Sequence, residues 1–191
     1  MSNQHKNMKI KVGVSNRHVH LTKEDIEILF GKNYQLTPKK ELYQERQYSA
    51  EETVTLKTEK NTKEHVRIVG PARSYTQVEV LEEDKEYFGI NPPVRNSQDL
   101  ENSEKITIKG PKGEITKENI CIIANRHIHI NTRDKKNYQE DDIVAVIIDN
   151  KILDNIHIKI ADTYKTELHI NKDDAIKNNI TNESIAILKE D

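Results

Sequence analysis

The chain has 191 residues, room for one large or two small domains with a buried core. Lys and Arg number 30 against 32 Asp and Glu, a formal net charge of -2 that argues against a nucleic-acid partner. The single cysteine, Cys121, excludes an intramolecular disulfide, and the polar first residues with no apolar run of transmembrane length lead to the expectation of a cytoplasmic protein without a membrane partner.

Alternation predicts a first strand over 9–14, running into Ser-Asn-Arg-His-Val-His. Thr22-Lys-Glu-Asp25 resembles a capping box, and Ile26 to Phe30 closed by Gly31 predicts a short helix. Residues 35–47 read as a polar connector. Strands are predicted at 53–58 and 65–69 around a polar turn, and at 76–80 after Gly70-Pro71. A short helix over 82–88 ends at Gly89, and 91–95 breaks regular structure. Gly110-Pro-Lys-Gly113 between Ile108 and Ile115 is a hairpin signal. A second histidine strand follows at 120–130, then a short helical segment near 133–138. Strands at 143–148, 156–160 and 167–170, a helix at 173–177 and a strand at 184–188 complete the chain. Short strands with one- to three-turn helices predict a mainly β protein, barrel-like with small capping helices, and argue against a doubly wound sheet. Cys121 lies in an apolar run and reads as a small buried side chain rather than a nucleophile.

The histidine stretch occurs twice. Val12 to Leu21 and Ile120 to Ile130 each carry an aliphatic run into Asn-Arg-His-aliphatic-His. Residues two apart in a strand share a face, so His18 with His20, and His127 with His129, form two imidazole pairs. Imidazole ligates zinc and its neighbours, and a catalytic zinc typically takes three protein ligands. Each pair therefore needs a third. Four strand-to-helix junctions share one pattern: His20, Glu79, His129 and His169 are each followed by an aliphatic residue and, five positions on, by Asp25, Asp84, Asp134 or Asp174. The alignment nominates Glu79 and His169. From pattern alone either reads equally as a solvent-facing residue of a half-buried strand. His157 lacks the following cap and acid and is left out; His5 and His65 are expected to be solvated. Arg73, in Gly70-Pro-Ala-Arg73, is placed to receive phosphate in a bidentate contact, or is an ordinary surface arginine. Arg17 and Arg126 point away from the histidines and are expected to pin strand ends.

These motifs, with Leu36-Thr-Pro-Lys-Lys40, Ala50-Glu-Glu-Thr-Val54, Gln77-Val-Glu79, Pro92-Pro-Val-Arg95 and Leu168-His169, resemble the PduL-type phosphate propanoyltransferases (phosphotransacylases) in order along essentially the whole chain. The resemblance implies two small β-barrel domains capped by short α-helices: residues 9–36 with 121–191 in one, and 37–120 in the other, with the active site at their junction. It implies two zinc ions per chain, one on His18, His20 and Glu79, the other on His127, His129 and His169, with Arg73 holding phosphate. The implied reaction interconverts a short-chain acyl-CoA (propanoyl- or acetyl-CoA) plus phosphate with acyl phosphate plus CoA, as in propanediol degradation, by direct attack of phosphate. The alternatives are a dinuclear zinc thioester hydrolase and a non-catalytic zinc-stabilised binding module. A homodimer is left open. Residues 1–8 show no apolar helical face of the kind that targets relatives to microcompartments.

Overall fold

A computed structural model describes residues 7–189; His5 and most of the leading stretch expected to lack an apolar face lie outside them. In chain order the elements are β1 (Met8–Ser15), β2 (His18–His20), α1 (Lys23–Phe30), β3 (Pro38–Glu41), β4 (Tyr48–Lys57), β5 (Thr62–Gly70), β6 (Gln77–Glu79), α2 (Asp84–Phe88), β7 (Val94–Arg95), β8 (Glu104–Lys109), β9 (Glu114–Ala124), β10 (His127–Asn131), β11 (Ile143–Ile148), β12 (Lys151–Ala161), β13 (Glu167–Asn171), α3 (Lys172–Asn178) and β14 (Ile185–Leu188). The architecture is mainly β, with two closed six-stranded barrels and three short helices.

The chain divides into two compact units, one ending at Ser15 and resuming at Asn125, the other Asn16–Ala124. In the first, the strands close in the order β1-β13-β10-β12-β11-β14. Alternation sets the inner face: Ile10 and Val12 of β1 are buried while Lys9 and Lys11 are exposed. They pack with Ile128, Ile130, Ile156, Ile158, Leu168 and Leu188. In the second, β4-β5-β2-β6-β9 is closed by β8, which pairs with both β4 and β9, while β3 and β7 are appended. Its core holds Val19, Leu29, Leu56, Ile68, Val78, Phe88 and Ile108.

Two sequence expectations change. Residues 16–36 were grouped with the first strand, yet they lie with the central segment, because β2 pairs parallel with β5 and antiparallel with β6. Likewise 121–124 stay with the central unit as the end of β9, which pairs with β6 and β7. The stretch running into His18 is therefore not one strand. β1 belongs to one barrel and β2 to the other, and the chain passes between units after Ser15 and returns after Ala124. The expected connector also contains β3, whose four residues are all exposed and pair only with β4; a charged edge strand carries no hydrophobic alternation to read.

Residues 91–95, expected to break regular structure, hold the two-residue β7, and 120–130 divides between β9 and β10, whereas the signals that bound α1 hold. Thr22 accepts from the Asp25 N–H at 3.1 Å and the Gly31 N–H donates to Glu27 O at 2.9 Å, bounding α1. At the β8–β9 turn, a Cβ on Gly110 would collide with the backbone oxygen of Leu29, so glycine is what lets α1 approach this turn.

The two barrels repeat one wiring. β10 pairs parallel with β12 and antiparallel with β13, as β2 does with β5 and β6. His127 stands opposite His169 as His18 stands opposite Glu79.

Candidate metal sites

In the central barrel, β2 presents His18 and His20 on one face and β6 places Glu79 opposite His18. The His18 ring is anchored by Nδ1 to Asn16 O at 2.8 Å, and the His20 ring by Nδ1 to Val69 O at 3.3 Å. Carbonyl oxygens only accept, so both Nδ1 atoms carry the proton. Both Nε2 lone pairs then face inward, 3.2 Å apart. The Glu79 carboxylate lies 3.4 Å from one and 3.5 Å from the other. Two lone pairs and an anion at these distances repel unless a cation lies among them: a proton on His18, or a metal ion. Burial disfavours charge on His18, but the Glu79 carboxylate more than offsets it and raises the imidazole. Burial pushes His20 down to about 4, with Glu79 offsetting only part. Burial also opposes the Glu79 anion, yet the two imidazoles hold its carboxyl well below the usual range. Neutral imidazole and ionised carboxylate are the forms a metal takes.

In the other barrel, His127, His129 and His169 each offer a ring nitrogen, all within 4.8 Å of one another. His127 Nδ1 is anchored to Asn125 O at 2.9 Å, repeating the contact of His18 with Asn16. His169 Nε2 contacts Glu167 Oε2 at 2.7 Å, and His129 stacks on Tyr164 with centroids 4.0 Å apart and planes 15° apart. Three nitrogens here, and two nitrogens with one oxygen in the central barrel, are donor sets that fit zinc.

All six nominated ligands thus gather into two trios, one in each unit. His157 stands beside His127 in register but is not among the converging donors, and His65 is exposed. Arg73 follows the cis Gly70-Pro71 bond; its backbone N–H donates to Leu21 O at 2.8 Å and Nη1 to the Tyr75 hydroxyl at 2.8 Å. Its charge is near enough to oppose protonation of both His18 and His20. Arg17 Nε donates to Asp84 at 2.8 Å and Arg126 Nε to Asp174 at 2.7 Å, each tying the histidine strand to a helix start.

Four residues escaped the sequence reading: Tyr75, Gln77, Tyr164 and Glu167. Gln77 Nε2 donates to Glu79 Oε1 at 2.7 Å. Gln77 and Glu167 each precede a third ligand by two positions, hence on the same strand face, and that offset was the available signal. Tyr164 sits in a loop and left none.

The phosphate propanoyltransferase family matches residues 11–181. A phosphate propanoyltransferase of Thermotoga maritima is 47% identical over 172 residues, covering 87% of this chain and 82% of that protein. One from Rhodopseudomonas palustris is 41% identical, covering 87% and 76%. One from Lachnoclostridium phytofermentans is 40% identical, covering 90% and 83%. The repeated histidine strands and their partners lie inside the matched region, and the chain is an acyltransferase of the phosphate propanoyltransferase family.

Proposed function

We propose that the protein interconverts propanoyl-CoA plus phosphate with propanoyl phosphate plus CoA, accepting acetyl-CoA as well, with zinc held by His18, His20 and Glu79 and by His127, His129 and His169. The observation that carries this reading is the convergence of three donors in each barrel, with the Arg73 charge near enough to one trio to oppose protonation of His18. Bound there, zinc supplies Lewis acidity toward a developing oxyanion or a thiolate.

Arg73 binds and orients the phosphate. Its guanidinium matches two phosphate oxygens, and its Nη1 donates to the Tyr75 hydroxyl at 2.8 Å. Orientation is what a weak nucleophile lacks in water. A phosphate oxygen attacks the thioester carbonyl carbon, the C–S bond breaks, and the proton of hydrogen phosphate leaves with the thiol. No acyl-enzyme is needed. Cys121 is fully buried and its thiol is pushed up by that burial, with Glu104 and Asp84 adding to it, so it supplies no thiolate.

The test is CoA release from acetyl-, propanoyl- and butanoyl-CoA, with and without phosphate, on protein of known metal content. Phosphate-dependent release with intersecting initial-rate lines supports the reading. Phosphate-independent cleavage would instead make the site a thioester hydrolase, and parallel lines would indicate a covalent intermediate.

A further inference from the structure

The two trios differ in charge. One contains a carboxylate; the other is three imidazoles. The residues behind them differ in the opposite sense. His20 stands opposite Gln77 in the strand register, and His129 stands opposite Glu167. Gln77 and Glu167 therefore occupy the same place in the repeated wiring. Gln77 is fully buried and neutral; its Oε1 accepts from the Gln98 N–H at 2.8 Å while its Nε2 donates to Glu79. Glu167 is 5% exposed, and its Oε2 lies 2.7 Å from His169 Nε2. Each set of four residues thus holds one carboxylate, as a donor in one barrel and in contact with a donor's ring in the other.

The fold makes specific room for this. Gly13 of β1 stands beside His169, and a Cβ there would lie 2.6 Å from Glu167 Oε1. The corresponding position in the central barrel, beside Glu79, is Ile122. The glycine occurs where the second-rank residue is a glutamate, and a full side chain where it is a glutamine.

We infer that Glu167 is a positioning residue that supplies to the three-histidine set, through its contact with His169 Nε2 and in space kept open by Gly13, the one negative charge that Glu79 supplies directly to the other set. The inference rests on reading His127, His129 and His169 as a metal set. A carboxylate accepting from a ligating imidazole fixes its tautomer and raises its basicity, and losing such a partner typically costs about 10- to 100-fold in metal affinity. Gln77 needs no charge because Glu79 carries it; its amide orients that carboxylate.

The test is zinc titration of metal-free protein in competition with a chromogenic chelator, with cobalt absorption as a second reading of ligand geometry. Wild type should bind two equivalents and His127→Ala one. Glu167→Gln should keep one site at wild-type affinity and weaken the other about 10- to 100-fold, with an unchanged far-ultraviolet CD spectrum. Glu167→Asp, which keeps the charge, should recover most of the loss. Should Glu167→Gln not fold, Gly13→Ala displaces the carboxylate without removing it and should give the same one-site weakening. Wild-type affinity at both sites in Glu167→Gln and Gly13→Ala overturns the inference, as does equal weakening of both sites. One equivalent or none in wild type, with no further loss in His127→Ala, overturns the reading of the metal set itself.

Discussion

Arg73 is fixed at both ends, its backbone tied to Leu21 and its guanidinium to Tyr75, which itself lies 3.4 Å from Ser97 Oγ. A fork held this way loses little freedom when it meets an anion. A charge-assisted bidentate contact is worth about 1.5–3 kcal/mol, so Arg73→Ala should cost about one to two decades in the phosphate-dependent rate. Arg73→Lys keeps the charge without the fork and should recover part of it. The change should appear in phosphate kinetics, with acyl-CoA saturation and zinc content unaltered. If acyl-CoA saturation shifts and phosphate does not, Arg73 serves the CoA phosphates instead. Cys121 gives a second residue-scale expectation. With no exposure and a raised thiol, it should resist iodoacetamide in the native protein and react once denatured, and Cys121→Ser should keep most activity. Rapid native alkylation, or an inactive serine variant, would contradict both the burial and the direct-attack mechanism.

The two histidine strands, β2 and β10, are short, and each is preceded by an arginine paired with an aspartate. Arg17 and Asp84 have side chains 14% and 2% exposed, whereas Arg126 and Asp174 are 25% and 26% exposed. Removing one partner of a buried pair strands the other charge and costs about 3 kcal/mol or more; solvent-screened pairs are worth about 1 kcal/mol or less. Arg17→Met should therefore lower the denaturation free energy well beyond Arg126→Met, and urea titration of the two variants measures the difference. Equal losses would mean that the shared geometry, not burial, sets the cost. The converging positions were legible in the sequence because they depend on local rules: strand alternation, a helix start and an acid five residues on. Glu79 and His169 were nominated by that shared pattern, and the acids at their junctions, Asp84 and Asp174, are the ones bound by the arginines preceding the histidines. Gln77 and Glu167 act through the same alternation but stand one pleat earlier, where nothing in the local pattern distinguishes a supporting residue from a solvent-facing one. The break after Ser15 was illegible for another reason. Which barrel a strand joins is decided by partners far away in sequence, β5 and β6 for His18 to His20, and β13 and β14 for Met8 to Ser15.

Across the whole molecule, two closed barrels of matching wiring each hold one complete trio within their own strands. The three donors of each trio come from strands of one unit, so on the proposed reading each zinc is expected to be lost or kept separately. His127→Ala removes a donor from only one trio and should bring zinc content from two equivalents to one, while His157→Ala, whose ring is not among the converging donors, should leave two. A ligand that binds only the folded state stabilises it by RT ln(1 + [L]/Kd), about 4.1 kcal/mol at a thousandfold excess over Kd. Chelation of wild type should therefore lower thermal stability through both barrels, and chelation of His127→Ala only through the central one. Elemental analysis with calorimetry, before and after chelator, reads both quantities on the same samples. Loss of both metals in His127→Ala would show that the trios are coupled and would overturn this expectation.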